Sequence, residues 1–352
     1  MRALRWHAPG DVRLDETPEP APGKGEVKIR VKWCGICGSD VHEYESGPLL
    51  VPTLKPHPRT GKQAPVTLGH EFSGEVVEVG AGLNDIRVGE RVAVRPTMPC
   101  YSCYWCQRGR HIQCTSLATI GYAWDGAFAP YAVVPGDTVY RLPDELDYAA
   151  AALCEPLAVA LHGCKRGGLE PGDRVAVIGA GPIGLLTLQA AKAAGAGQVF
   201  VVEPLASRRE IALGLGGTEV LDPGKVDVSK EISRLTDKLR VDIVFECAGP
   251  PVAMLTALRV CGRGGKIVEM GQMLESCSFP FQALWLREQM IIASQGYVDE
   301  FPLAIALLAD GQIQVEPLIT ARIKLDDIIE SGFKELTGGK RLEHLKVLVS
   351  PK

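Results

Sequence analysis

The stretch that most constrains this chain is RVAVIGAGPIG, residues 174–184, where an apolar strand-like run turns through Gly179, Gly181 and Gly184 into a helical pattern over 182–194. A bare G-x-G-x-x-G says little, but with a strand before it and a helix after it the motif predicts a phosphate-binding turn. Gly179 allows the tight turn and Gly181 admits a pyrophosphate. Pro182 and Ile183 open the helix, and Gly184 lets helix and strand pack closely. Free N–H groups and the dipole at the helix start favour an anion there. The next apolar run, QVFVV, ends at Glu203, about twenty residues on, where a carboxylate can hold both ribose hydroxyls of a dinucleotide. A 2′-phosphate about 4 Å from that carboxylate would be repelled by about 4 kcal/mol at an effective dielectric near 20, so the position favours NAD over NADP. Arg208 and Arg209 follow and would partly offset this repulsion, or simply line a solvated helix face.

Such a turn belongs to a parallel sheet with crossover helices, and the flanking pattern agrees. Strand-like runs at 174–178, 198–202, 219–221, 241–245, 266–269 and 290–293 alternate with helical stretches, enough for one doubly wound unit over residues 157–296. Residues 1–156 read differently, as a loop-rich antiparallel β domain with alternating runs at 27–33 and 72–79. The tail, 297–352, is short for a core of its own and is expected to rejoin the first domain. A cleft between the domains would then lie at the carboxyl ends of the parallel strands.

The 11 cysteines are odd in number and follow no secretion signal, which disfavours a disulfide framework. Cys100, Cys103, Cys106 and Cys114 form C-x2-C-x2-C-x7-C, a spacing that turns four thiolates onto one tetrahedral centre and predicts a closed, structural zinc lobe over about 96–116. His111 lies inside the lobe, but four sulfurs already complete the tetrahedron. Tyr104 and Trp105 are expected to pack it.

A second metal constellation is scattered: Cys37, His70 with Glu71, and Glu155 beside Cys154. Mixed S, N and O ligands with one open position characterise catalytic zinc. Asp40 could orient His70 or cap a helix. Ser39 and His42 place a hydroxyl and an imidazole near Cys37, suited to a proton relay. Glu71, Cys154 and Glu155 compete for the third ligand position. Neighbouring side chains on a helix diverge by about 100°, and the apolar run after them suggests that Cys154 packs inward while Glu155 faces the cleft.

Lys plus Arg total 38 against 42 Asp plus Glu, a balance that argues against nucleic-acid or membrane-surface partners and for a small molecule. With no long apolar run, the expected location is the cytoplasm.

Together these motifs resemble the zinc-dependent medium-chain dehydrogenase/reductase family across essentially the whole chain. VKWCGICGSDVHEYESGP, the Pro-rich insertion, APVTLGHEFSGEVVEVG and CEPLAVALHG are most similar to its 2,3-butanediol dehydrogenase (acetoin/diacetyl reductase) branch. The resemblance implies an α/β protein with a GroES-like catalytic domain and a Rossmann coenzyme domain. It implies catalytic zinc on Cys37, His70 and Glu155, with Glu71 as an alternative or transient ligand, and a proton route through Ser39, the nicotinamide ribose and His42. It further implies two zinc ions per chain, NAD, and a homodimer or homotetramer. The expected reaction is hydride transfer between NAD and a vicinal diol or α-hydroxyketone; sorbitol-type polyol or L-threonine oxidation is the enzymatic alternative, and a non-catalytic NAD-binding zinc protein the other. The segment 43–65 is a sizeable loop, expected to border the substrate site and to recognise a second substrate oxygen.

Overall fold

The computed structural model describes residues 1–352, which divide into two compact units. Unit 1 comprises Met1–Glu155, Phe301–Ala309 and Leu318–Lys352; unit 2 comprises Pro156–Glu300 and Asp310–Pro317. The sequence reading sends all of 297–352 to the first domain, whereas residues 297–300 and Asp310–Pro317 group with unit 2. For Asp310–Pro317 a side-chain clamp is the local reason: Gln189 accepts the Gln314 N–H (2.7 Å) and donates to the Gln314 carbonyl (3.0 Å).

In unit 1 the strand Glu26–Gly35 is the spine. Val27, Ile29 and Val31 face inward by strand alternation, packing with Phe72, Val76, Val92, Phe128 and Val347. The strand changes partner along its length. Its first half pairs with Tyr131–Pro135, its end pairs with Lys346–Ser350, and Glu71–Val79 runs along its other edge. The tail thus adds strands to the sheet begun by the N-terminal segment.

Unit 2 is a six-stranded parallel sheet in the order Glu219–Leu221, Gln198–Val202, Arg174–Ile178, Val241–Glu246, Cys261–Glu269, Met290–Ala293. This is the doubly wound order, with the first strand central and the chain reversing beside it. Val175, Ala176, Val177, Phe200, Val244 and Ile267 are fully buried or nearly so, as expected for strands covered by helices on both faces. The α/β expectation holds and four strands stand where expected; the strand expected over 241–245 runs on to Glu246, and the one expected over 266–269 begins five residues earlier, at Cys261.

Candidate active site and metal centres

The register in unit 1 assembles the scattered constellation. Gly35 pairs with Glu71 on one side and Leu348 on the other, so Glu71 and Lys346 meet beside the chain as it leaves the sheet towards Cys37. A Cβ on Gly35 would collide with Glu71 Oε2, which explains why this strand ends in glycine. The Lys346 ammonium lies 2.8 and 2.6 Å from the two Glu71 oxygens and donates to the Ile36 carbonyl at 3.2 Å. Burial pulls the pKa of Lys346 down, but the charges of Glu71, Cys37 and Glu155 outweigh it and hold it above the ordinary lysine value.

Cys37 caps helix α1 (Gly38–Ser46), and Asp40 serves that cap while lying beside His70. One carboxylate oxygen accepts the Cys37 N–H at 3.0 Å; the other lies 3.4 Å from His70 Nδ1. Burial lowers the pKa of His70, yet the charges and hydrogen bonds of Asp40 and Cys37 outweigh it and hold it above the ordinary histidine value. Ser39 and His42, three residues apart on α1 and both half-buried, share a helix face.

Ligand atoms of Cys37, His70 and Glu71 all lie within 4.8 Å of one another. Glu155 is not in that group. It sits half-buried at the second position of helix α2 (Cys154–Gly167), near enough to Lys346 to add to its charge stabilisation. Cys154 is fully buried, and burial alone pushes its thiol far above the usual range, as fits a packing residue. Thiolate, imidazole and carboxylate in one pocket fit zinc by donor chemistry.

Two residues here escaped the sequence reading. Lys346 opens the apolar run KVLVS and looks like a lysine at a strand edge; nothing local marks it as buried. Tyr122 lies in a turn that is hydrogen-bonded strand-fashion to residues 67–69, through Gly126 N–H to the Thr67 carbonyl, Ala127 to Gly69 and Phe128 to Leu68. The turn puts the Tyr122 ring 5.1 Å from the His70 ring and its hydroxyl 2.8 Å from Ser39 Oγ and 3.2 Å from Asp40 Oδ1.

The four cysteines of the lobe also have their sulfurs within 4.8 Å of one another. Backbone N–H groups point at them, Cys103 to Cys100 at 3.2 Å and Cys100 to Cys114 at 3.3 Å, a pattern that stabilises thiolates. Hydrogen bonds from Ser102 and from the Cys103 backbone push the Cys100 thiol down to about 5, while burial and its sulfur neighbours push Cys106 up to about 12. His111 stacks edge-on against Tyr101 and stays outside the sulfur group. Tyr104 is 59% exposed, with the Trp105 ring edge-on at 5.2 Å and the Arg108 guanidinium 3.6 Å from its ring, so it lies on the surface of the lobe and the expectation that it packs the interior is corrected.

In unit 2, Gly179 adopts φ +95°, a conformation that favours glycine, and a Cβ on Gly184 would collide with the Gly179 carbonyl. Gly181, at the N-cap of helix α3 (Pro182–Ala193), has nothing within 4 Å of where a Cβ would stand, which leaves open space at the helix start. Glu203 is buried, and its carboxylate accepts the Ala180 N–H at 2.7 Å and the Leu205 N–H at 2.9 Å. Arg209 is committed to the Glu203 and Pro204 carbonyls and to Asp222 (3.0 Å); Arg208 is half-buried.

With this geometry in place, comparison with known proteins is informative. Residues 23–144 match the alcohol dehydrogenase GroES-like domain and residues 182–310 the zinc-binding dehydrogenase model. The chain belongs to the zinc-dependent medium-chain dehydrogenases. An (R,R)-butanediol dehydrogenase of Bacillus subtilis is 41% identical over 100% of both chains. The crystal structure of a 2R,3R-butanediol dehydrogenase from Bacillus subtilis superposes with a TM-score of 0.93 at 40% identity, covering 100% of this chain and 99% of that one. A putative zinc-binding dehydrogenase from Sinorhizobium meliloti, solved with NADP, gives 0.91 at 34% identity, with 99% of each chain covered. The family places an alcohol dehydrogenase's metal chemistry and a nicotinamide coenzyme on this fold, as the motifs predicted.

Proposed function

We propose that the protein interconverts a vicinal diol and its α-hydroxyketone with NAD, with 2,3-butanediol and acetoin as the first pair to test. The observation that carries this is the convergence of Cys37, His70 and Glu71, backed by Asp40, in a chain that also keeps an intact dinucleotide turn. Zinc bound there supplies the Lewis acid that lowers the alcohol pKa, and NAD accepts the hydride. Cys37, His70 and Glu155 hold the metal, and Glu71 is divided between Lys346 and the metal position. Asp40 fixes the His70 ring. Ser39 takes the alcohol proton and His42 passes it outward. Cys100, Cys103, Cys106 and Cys114 hold a second zinc that folds the lobe and performs no chemistry, since no coordination position stays open.

In this reading the segment 43–65 borders the substrate site. Several of its polar side chains hold the loop: Glu43 accepts the N–H groups of Leu49, Leu50 and Val51, Arg59 binds the Met98 and Ser116 carbonyls, and Thr60 binds the Ala123 carbonyl. The loop exposes apolar and polar side chains side by side, Leu49, Leu50 and Leu54 with Lys55 and Gln63.

Glu203 favours NAD. The open edge strand Met290–Ala293, flanked by exposed Phe281, Trp285 and Leu286, supports a homodimer or homotetramer, because such an edge is usually covered in a native assembly. Eleven unpaired cysteines support a cytoplasmic location. No helix is long and apolar enough to cross a membrane.

The test is a panel that follows NADH and NADPH absorbance with butanediol stereoisomers, acetoin, diacetyl, sorbitol and threonine, combined with metal analysis. Butanediol and NAD should exceed sorbitol and threonine by about tenfold or more in kcat/KM. About two zinc ions per chain are expected, falling to about one in Cys103→Ala with a lower Tm. Preferred turnover of sorbitol, or a soluble Cys103→Ala with full metal content and unchanged Tm, would contradict these assignments.

A further inference from the structure

We infer that Tyr122 is a positioning residue that sets the direction of the hydrogen bond at Ser39, and so whether the serine hydrogen is free to move along the relay towards His42. This rests on the relay role proposed above for Ser39. Tyr122 is 2% exposed, and its hydroxyl meets two oxygens, Ser39 Oγ at 2.8 Å and Asp40 Oδ1 at 3.2 Å. A phenol has one hydrogen to donate, and an ionised carboxylate can only accept. Two arrangements follow. When Tyr122 donates to Asp40, Ser39 must donate to the Tyr122 oxygen, and the free Ser39 lone pairs face outward as acceptors. When Tyr122 donates to Ser39, one Ser39 lone pair is used and the serine hydrogen is released to donate elsewhere.

Only the second arrangement lets Ser39 accept the alcohol hydrogen on its remaining lone pair while its own hydrogen passes outward towards His42, and carbonyl reduction runs the same chain backwards; in the first the serine hydrogen is held by Tyr122 and the relay is closed. They differ only by rotation of the two hydroxyl hydrogens, and no proton leaves Tyr122. Asp40 is well placed to balance them, because its other oxygen is occupied by the Cys37 N–H at 3.0 Å and its position is thereby fixed. The turn that carries Tyr122 is fixed as well: its N–H and that of Ala123 both bond the Thr119 carbonyl, at 3.1 and 2.9 Å. The ring against His70 supplies packing that phenylalanine would preserve.

The experiment is a double-mutant cycle with Tyr122→Phe and Ser39→Ala, read as kcat and KM in both directions, the solvent deuterium isotope effect on kcat, zinc content, Tm, and the visible spectrum of the cobalt-substituted enzyme. Tyr122→Phe should lower kcat roughly tenfold or more in both directions with KM little changed, and alter the isotope effect. Zinc content and the cobalt spectrum should stay as in the parent. In the Ser39→Ala background the added substitution should change nothing further, because the two act as a unit. Full activity in Tyr122→Phe, additive losses, or loss of the catalytic metal would overturn the inference. If Ser39→Ala itself turned over normally, the relay reading would fail; a normal Tyr122→Phe beside a crippled Ser39→Ala would defeat only the role of Tyr122. Should Tyr122→Phe fail to fold, Tyr122→His, which retains a donor, replaces it: partial kcat rescue relative to Tyr122→Leu supports the inference, and equal kcat in the two overturns it.

Discussion

The coenzyme turn and the metal pocket are built in opposite ways. The turn occupies one strip of chain, from Arg174 to Glu203, and it reads its ligand chiefly with backbone: a glycine at positive φ, a bare N-cap and a helix start. The metal pocket draws on residues 37–42, 70–71, 122, 155 and 346, and works almost entirely with side chains. A backbone site is fixed by local conformation and tolerates changes elsewhere in the unit. A side-chain site depends on sheet register, so residues far away in sequence hold it together. Substitutions that strike register partners should therefore cost more than those in the strip.

Lys346→Met gives the strongest test of that difference. It removes the one cation held against both Glu71 oxygens in a site where Lys346 and Glu71 are 3% and 1% exposed. Breaking a buried pair on one side costs about 3–5 kcal/mol, because the remaining charge is left uncompensated. The melting temperature of unit 1 should fall clearly, and the further change Glu71→Gln should restore part of it. A Lys346→Met protein that melts like its parent would show that the pocket does not depend on its tail strand.

The comparison sharpens at the proposed third metal ligand, where two neighbours on α2 differ in burial. Glu155→Ala should weaken catalytic zinc by more than the roughly 10–100-fold that loss of an outer partner costs. Cys154→Ala should leave zinc affinity nearly unchanged, since its thiol is fully buried. Titration of each variant against a chelator measures both. The opposite ranking would move the ligand by one residue. If Glu155→Ala keeps its zinc and Glu71→Ala loses it, the three groups already gathered within 4.8 Å are the complete protein ligand set.

The same contrast explains what was legible beforehand. The strands 174–178, 198–202, 219–221 and 290–293 stand where the alternation put them, because apolar runs between helical stretches have few other solutions. The cysteine lobe was readable for a similar reason: its ligands lie within fifteen residues, Cys100 to Cys114, so spacing stands in for geometry. Asp40 beside His70 followed from its distance to Cys37. Lys346 and Tyr122 were not readable. Their roles arise from Gly35 pairing with two strands at once and from a turn bonded to residues 67–69, and neither relation leaves a local trace. Asp310–Pro317 joined unit 2 through one glutamine on α3, also a tertiary fact.

The smallest effect is expected inside the strip itself, at Glu203. Exchange for serine removes the charge that would face a 2′-phosphate, which at an effective dielectric near 20 amounts to a few kcal/mol of repulsion. The observed gain should be smaller, because Arg209 is not available to greet the phosphate: it is already bound to two carbonyls and to Asp222. The Glu203 carboxylate also anchors the turn through the Ala180 and Leu205 N–H groups, so serine should weaken NAD binding as well as admit NADP. Both changes move the NADP-to-NAD ratio of kcat/KM in the same direction, by about tenfold or more in total. Measuring KM for each coenzyme separates them. A raised KM for NAD with no change for NADP means that Glu203 serves mainly as the anchor of the turn, while a lowered KM for NADP shows that its charge discriminates. An unchanged ratio would show that neither the charge nor the anchor selects the coenzyme, and would make this backbone site as dependent on distant residues as the metal pocket.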